Sequence, residues 1–308
     1  MNTRNCFKVL ALLCLLVGCA GQPTQKGNVS SKFRADPRGP DALLVEAMRR
    51  HTQQQDFAAA LQLVKQAAEK APDRKDIAWL YSQLCSEANG CQAESVETRL
   101  RHMDPTNAAV WLGPLARAQD RNDLAAENGI LEAMSRGDHF DIYWNSLISK
   151  MAVVASAETA ARLGPTVPDL VTISLNDVIG WVSAVAFPRF TPLSDTCSAE
   201  RVANRSVAER CARIAAALTR GDTVIAESVG LGIAERLAPP NSQQAANVAE
   251  QIRRARYQRD TAGQIIAGQV EHDKFSRELI KLMAGLRREQ DVFLAVIRWG
   301  GQPVQPTG

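Results

Sequence analysis

The side chains that could do chemistry are few and scattered. The histidines are His51, His102, His139 and His272, and none falls in the His-Glu-x-x-His spacing that sets two imidazoles on one helix face around a metal. No Gly-x-Ser-x-Gly elbow and no Ser-x-x-Lys pair is present, so no activated serine is legible. The tightest gathering of ionisable types is Asp138-His139-Phe140-Asp141, which reads as a solvated loop between helical units rather than a metal site. Gly230-Leu231-Gly232 lacks a third glycine and a preceding strand, so close helix packing is favoured over phosphate binding. The sequence therefore predicts no catalytic residue, no metal ligand and no cofactor.

The beginning of the chain carries a different kind of chemistry. Arg4 and Lys8 precede an apolar run from Val9 to Val17 that is too short to span a bilayer and has the order of a secretory signal peptide. Leu16-Val17-Gly18-Cys19 resembles the lipobox of bacterial lipoproteins. That resemblance implies cleavage after residue 18 and diacylglycerol on the sulfur of Cys19, with acylation of the new amino terminus. Two or more acyl chains make a stable membrane anchor. Ala20 follows where an aspartate would signal inner-membrane retention, so the resemblance implies the outer membrane, facing the periplasm, in a Gram-negative host. Residues 19–40 are polar and broken by glycine and proline, and form a flexible tether.

Composition narrows what the exported part can be. The net charge is +3, of which Arg4 and Lys8 supply two, so the rest is close to neutral and nucleic-acid binding is excluded. Only 5% of residues are aromatic, and Ala, Leu, Arg, Gln and Glu recur, which favours helix. Once Cys6, Cys14 and Cys19 are set aside, four cysteines remain, Cys85, Cys91, Cys197 and Cys211, an even number in an exported chain. Three pairings are open; proximity favours Cys85 with Cys91 and Cys197 with Cys211. Zinc is disfavoured because neither spacing contains a Cys-x-x-Cys pair.

Helices must position all of this, and between residues 41 and 156 they repeat. Ala60, Ala93 and Ala126 recur at intervals of 33, as do Ala67, Leu100 and Ala133, then Pro72, Pro105 and Asp138, and the turn residues Asp56, Asn89 and Asn122. Trp79, Trp111 and Trp144 follow at nearly the same interval and read as core packing. The pattern resembles degenerate tetratricopeptide (TPR) repeats, most clearly in Asp56-Phe57-Ala58-Ala59-Ala60 with Ala67 and Pro72, and in Asp104-Pro105 leading to Trp111. It departs from that family at the missing glycine of the first helix and at Pro114. The expected fold is all-α: TPR-like helical hairpins forming a short α-solenoid over 41–156, then a helical domain over 157–308.

In that second part the pattern predicts helices over Leu170–Val185, Ser198–Leu218, Thr223–Leu237 capped by Asp222, Ser242–Ala267 capped by Asn241, and Glu271–Trp299. Arg253, Arg254, Arg256, Arg259, Arg287 and Arg288 form the basic concentration, a surface for anionic lipid headgroups, lipopolysaccharide phosphates or acidic glycan unless it is simply the wet face of a helix. The expected function is a membrane-tethered scaffold for envelope proteins, since the TPR resemblance implies peptide or protein binding along a concave groove. The alternative is a hydrolase of envelope glycans using acids such as Glu200, Glu209 or Glu227.

Overall fold

The computed structural model describes residues 39–88, 90–164, 168–269 and 272–306. Cys19, the signal segment and the tether up to residue 38 lie outside the described residues. The fold is all-α.

The chain first folds as a row of hairpins. Helix α1 (Pro40–Gln54) pairs with α2 (Phe57–Lys70), and α3 (Lys75–Glu87) with α4 (Ala93–Met103). A 3-10 turn (Ala108–Trp111) leads into α5 (Leu112–Asp120), which pairs with α6 (Leu124–Ser135). The turns are set locally. Asp56 accepts the N–H of Ala59 at 2.9 Å and Asp123 that of Ala126 at 2.9 Å, so each satisfies an otherwise orphaned donor at the start of the second helix. Gln55 (φ 54°) and Asn122 (φ 52°) reverse the chain just before these caps. Pro114 lies in the first turn of α5, where its missing N–H costs no helical bond.

Ala60, Val64 and Ala67 face the core from α2, and Glu127, Leu131 and Met134 face it from α6, 67 positions later in each case. The second unit buries Glu97 and Leu100. Glu97 is paired with Arg117, and Glu127 with Arg201 at 2.7 Å, so two positions that an apolar repeat would fill hold neutralised carboxylates instead.

A fourth hairpin, α7 (Trp144–Leu163) with α8 (Leu170–Val185), turns back and packs on α1 and α3. Helix α7 runs unbroken across positions 156 and 157. A short helix α9 (Thr191–Thr196) packs on α5, and after a 3-10 turn (Arg201–Ala203) helix α10 (Arg205–Thr219) packs on α6 and pairs with α11 (Val224–Leu237). Helix α12 (Gln243–Ala267) lies on α11 and α14 (Glu289–Trp299), while α13 (Asp273–Gly285) lies on α7 and α8. Gly230 of α11 has a packing role, since a Cβ there would stand 2.7 Å from Leu218 Cβ and 2.8 Å from the Ala215 carbonyl of α10.

Several expected boundaries move. Leu170–Val185 forms as read. In place of the expected last helix there are two, α13 and α14, with a break at residues 286–288, because Leu286 and both arginines there are held by partners from other elements. Asn204 caps α10 through the N–H of Ser206 at 3.0 Å, so that helix starts later than Ser198. The caps of α11 and α12 are Thr223 and Ser242, each one residue after the expected Asp222 and Asn241.

Candidate functional site

Two polar constellations organise the molecule, and both lie between elements distant in sequence. The first closes the inner side of the hairpin row. Asp76, 4% exposed on α3, accepts from Arg74 Nε at 2.6 Å and Nη2 at 2.8 Å, from Ser146 Oγ of α7 at 2.8 Å and from Lys150 Nζ of α7 at 3.1 Å. Arg74 also donates to Asp41 of α1 at 2.9 Å. Burial alone would raise the pKa of Asp76, but the hydrogen bonds and charge of Arg74, with Ser146 and Lys150 behind them, hold it down at about 2. Trp79 Nε1 donates to the Ala186 carbonyl at 2.9 Å, Trp181 Nε1 to His51 Nδ1 at 3.0 Å, and Arg49 pairs with Glu158. Thus the first helices α1 and α3 are covered by α7 and α8.

The tryptophans follow this packing. Trp79 and Trp144 are buried. Trp111 is only partly buried and carries the Arg101 guanidinium 4.9 Å above its ring.

The second constellation is a junction of three loops. Asp222, 1% exposed, does not cap α11; its Oδ1 accepts the N–H of Ile142 and its Oδ2 that of Trp144, both at 3.0 Å, at the start of α7. Its own N–H donates to the Phe140 carbonyl at 3.2 Å, and its carbonyl accepts from Glu289 N at 2.8 Å. Glu289, half-buried as a residue, returns Oε2 to the N–H of Val224 at 2.8 Å and so caps α11 from outside it. Gly221 permits the approach, because a Cβ there would stand 2.9 Å from the Phe140 carbonyl. Burial pushes both carboxyls up to about 7, aided by the charge of Asp141 at Asp222 and of Glu227 at Glu289.

The loop Asp138–Asp141 enters this junction and is therefore not simply solvated. Phe140 and Asp141 are buried, Asn107 Nδ2 donates to the Asp141 carbonyl at 2.8 Å, and the N–H of Asp141 returns to Asn107 Oδ1 at 3.0 Å. His139 contacts Asp138 and, at 3.3 Å, Asp104. Burial lowers the imidazole's pKa, but these two carboxylates outweigh it and the net shift is upward. Asp104 also takes the Tyr143 hydroxyl at 2.5 Å and Lys75 Nζ at 3.0 Å. Among the described residues, no group of three or more His, Cys, Asp or Glu is placed to hold a metal ion.

The six arginines of the basic concentration divide by role. Arg287 pairs with Asp141 and donates to the Arg220 carbonyl at 3.0 Å; Arg288 donates to the Gly221 carbonyl at 3.3 Å. Arg253 pairs with Glu250 and Arg259 with Asp260 along α12, whereas Arg254 and Arg256 are exposed on it. Cys85 with Cys91 and Cys197 with Cys211 stand at disulfide distance.

The acids named for a hydrolase lie apart from one another. Glu200 stands exposed before the 3-10 turn, and Glu209 pairs with Arg205 on the outside of α10 at 2.9 Å. Glu227 shares a shallow hollow with Thr219 and Arg254; burial raises its pKa, partly offset by Arg288. Glu209 is ten residues of α10 from Thr219, about 15 Å of helix. The larger hollow, about 530 Å³, is lined by Asp169, His272, Phe275, Glu278 and Trp299, with Trp299 half-exposed.

Sequence reasoning missed Asp76 and misassigned Asp222. For Asp222 a signal was present in the adjacent Thr223, an equally good cap, which leaves the aspartate free for another task. No protein-family model matches the chain, and neither a curated protein nor a solved structure matches it. Among the described residues, no helix is long and apolar enough to cross a membrane.

Proposed function

We propose that this protein is a lipid-anchored scaffold of the bacterial cell envelope, held through Cys19 and the tether 19–40, that binds one or more envelope proteins with its TPR-like helical hairpins. The observation that carries this reading is the row of hairpins from Pro40 to Ser135, an architecture that exposes long helical surfaces rather than a catalytic cleft. With α1 and α3 already covered by α7 and α8, the partner meets the outer helices of the row and neighbouring exposed side chains such as Leu124, which is 63% exposed at the start of α6. The outer membrane, facing the periplasm, is the location this reading assigns in a Gram-negative host.

Crosslinking in intact cells followed by mass spectrometry tests it, with Cys19→Ser as the anchor control. A recurrent protein partner whose capture falls when Leu124 is replaced by a charged residue supports the scaffold. Capture of glycan or lipid with no recurrent protein overturns it and turns attention to Arg254, Arg256 and the hollow beside Glu227.

A further inference from the structure

The three hairpins of the row turn with the same backbone, and the middle one lacks a side-chain cap. The residue before the second helix has φ −96° and ψ 80° at Asp56, φ −89° and ψ 84° at Asp123, and φ −87° and ψ 69° at Gln92. Asp56 and Asp123 use that geometry to accept an N–H of the first turn. Gln92 makes no such bond, and its carbonyl accepts only the N–H groups of Ser95 at 3.1 Å and Val96 at 3.4 Å. What this turn has instead is Cys91, joined to Cys85 at the end of α3.

The two sulfur bridges stand in different surroundings. Cys197 and Cys211 are both fully buried, and the Cys197 carbonyl is also held by Arg236 at 3.0 Å. Cys85 is buried too, but Cys91 is only partly so, and its neighbours Gly90 and Gln92 are exposed. Exchange requires a thiolate to reach one sulfur of the bridge, so access decides which bridge reacts. Beyond its first turn α4 is seated by other means: Glu97 pairs with Arg117 at 2.8 Å, Leu100 is buried, and Arg99 donates to the Pro72 carbonyl at 2.9 Å.

We infer that Cys85–Cys91 is an exchangeable bridge that takes the place of the missing cap, and that an external dithiol opens it while Cys197–Cys211 stays closed. A thiolate of the dithiol attacks Cys91 Sγ; the Cys85–Cys91 bond breaks and its electron pair leaves on Cys85, which takes a proton from water. The dithiol's second thiolate then attacks its own first sulfur in the mixed disulfide and releases Cys91, which is protonated in turn. The bridge has gained two electrons and become two thiols, and the dithiol has become a cyclic disulfide. With the bridge open, neither a covalent tie nor a side-chain cap fixes the first turn of α4, so that turn frays while Arg117 and the core keep the rest of the helix seated. The hairpin row thereby answers the thiol poise of its surroundings at one turn.

The test treats the folded full chain with graded dithiothreitol and alkylates the thiols set free; after unfolding and complete reduction, a second alkylating tag marks the remaining cysteines for peptide mass spectrometry. Cys85 and Cys91 should be labelled at dithiothreitol concentrations at least about tenfold below those that label Cys197 and Cys211. The amides of residues 95–99 donate to carbonyls of that first turn and of Gln92, so in the selectively reduced chain their hydrogen exchange should rise by about tenfold or more, with residues 101–104 unchanged. Gln92→Asp supplies the cap that Asp56 and Asp123 provide elsewhere and should slow that exchange in the reduced chain by about fivefold. The inference is overturned if Cys197 and Cys211 are labelled as early as Cys85 and Cys91, if reduction leaves residues 95–99 as protected as before, or if Gln92→Asp restores nothing.

Discussion

Asp76 is the residue whose loss should do most to open the inner side of the hairpin row. It is 4% exposed and binds Arg74, Ser146 and Lys150 together, so it joins α3 to α7 and, through Arg74, to Asp41 of α1. Removing one partner of a buried ion pair costs about 3–5 kcal/mol. Arg74 keeps Asp41, and Lys150 reaches water, so Asp76→Asn should cost less, about 2–3 kcal/mol. The pKa leads to a similar figure. A carboxyl held at about 2 when folded, against an unfolded value near 4, contributes about 2 kcal/mol. Because the folded pKa is depressed, that contribution is present above pH 4 and is lost as pH falls from 4 towards 2. Urea unfolding of wild type and Asp76→Asn at pH 7 and pH 3 measures both quantities. A loss below about 0.5 kcal/mol at pH 7, the range of an exposed pair, would refute the argument. So would an acid-induced loss of the same size in both proteins.

The other predictions concern packing and covalent links. Gly230→Ala places a methyl 2.7 Å from Leu218 Cβ and 2.8 Å from the Ala215 carbonyl, so α10 and α11 must part, at about 1–3 kcal/mol in thermal or urea unfolding. Gly232→Ala, with nothing within 4 Å, should be neutral or slightly stabilising, and equal costs at both positions would show the packing argument wrong. Replacing Cys197 and Cys211 with alanine reopens a loop of 14-residue separation and should lower stability by about 3 kcal/mol in urea unfolding; no change under oxidising conditions would mean the link contributes nothing.

What the sequence made legible followed local rules. Leu170–Val185 is strongly apolar and bounded by breaks, and it forms as a helix over that range, with Asp273 of α13 accepting the otherwise orphaned N–H groups of Val171 and Thr172 at its start. The hairpin row was visible in Asp56 and the buried alanines, whose spacing local packing dictates. The failures share one cause. Residues 286–288 are good helix formers, yet Asn145 takes the Leu286 carbonyl, Asp141 takes Arg287, and the Gly221 carbonyl takes Arg288, so partners from other elements overrule propensity there. Asp222, through Ile142 and Trp144, and Asp76, through Ser146 and Lys150, likewise join groups at least 70 positions away in the chain, which no periodicity encodes. Phe140 and Asp141 of the polar loop are buried because Asn107 and Asp222 supply the backbone there with partners, and composition alone cannot reveal partners.

The two constellations respond to pH in opposite directions, and this has a consequence for α7. At its first turn α7 is held by Asp222, which accepts the N–H of Trp144; over its next turns it is held by Asp76, whose charge stabilises the tie to α3. Acid below pH 4 weakens the Asp76 tie, whereas the stability linked to Asp222, whose folded pKa burial raises to about 7, declines as pH rises from 4 to 7 with Asp76 already ionised. By these two groups alone, α7 is therefore seated most firmly at both places near pH 4.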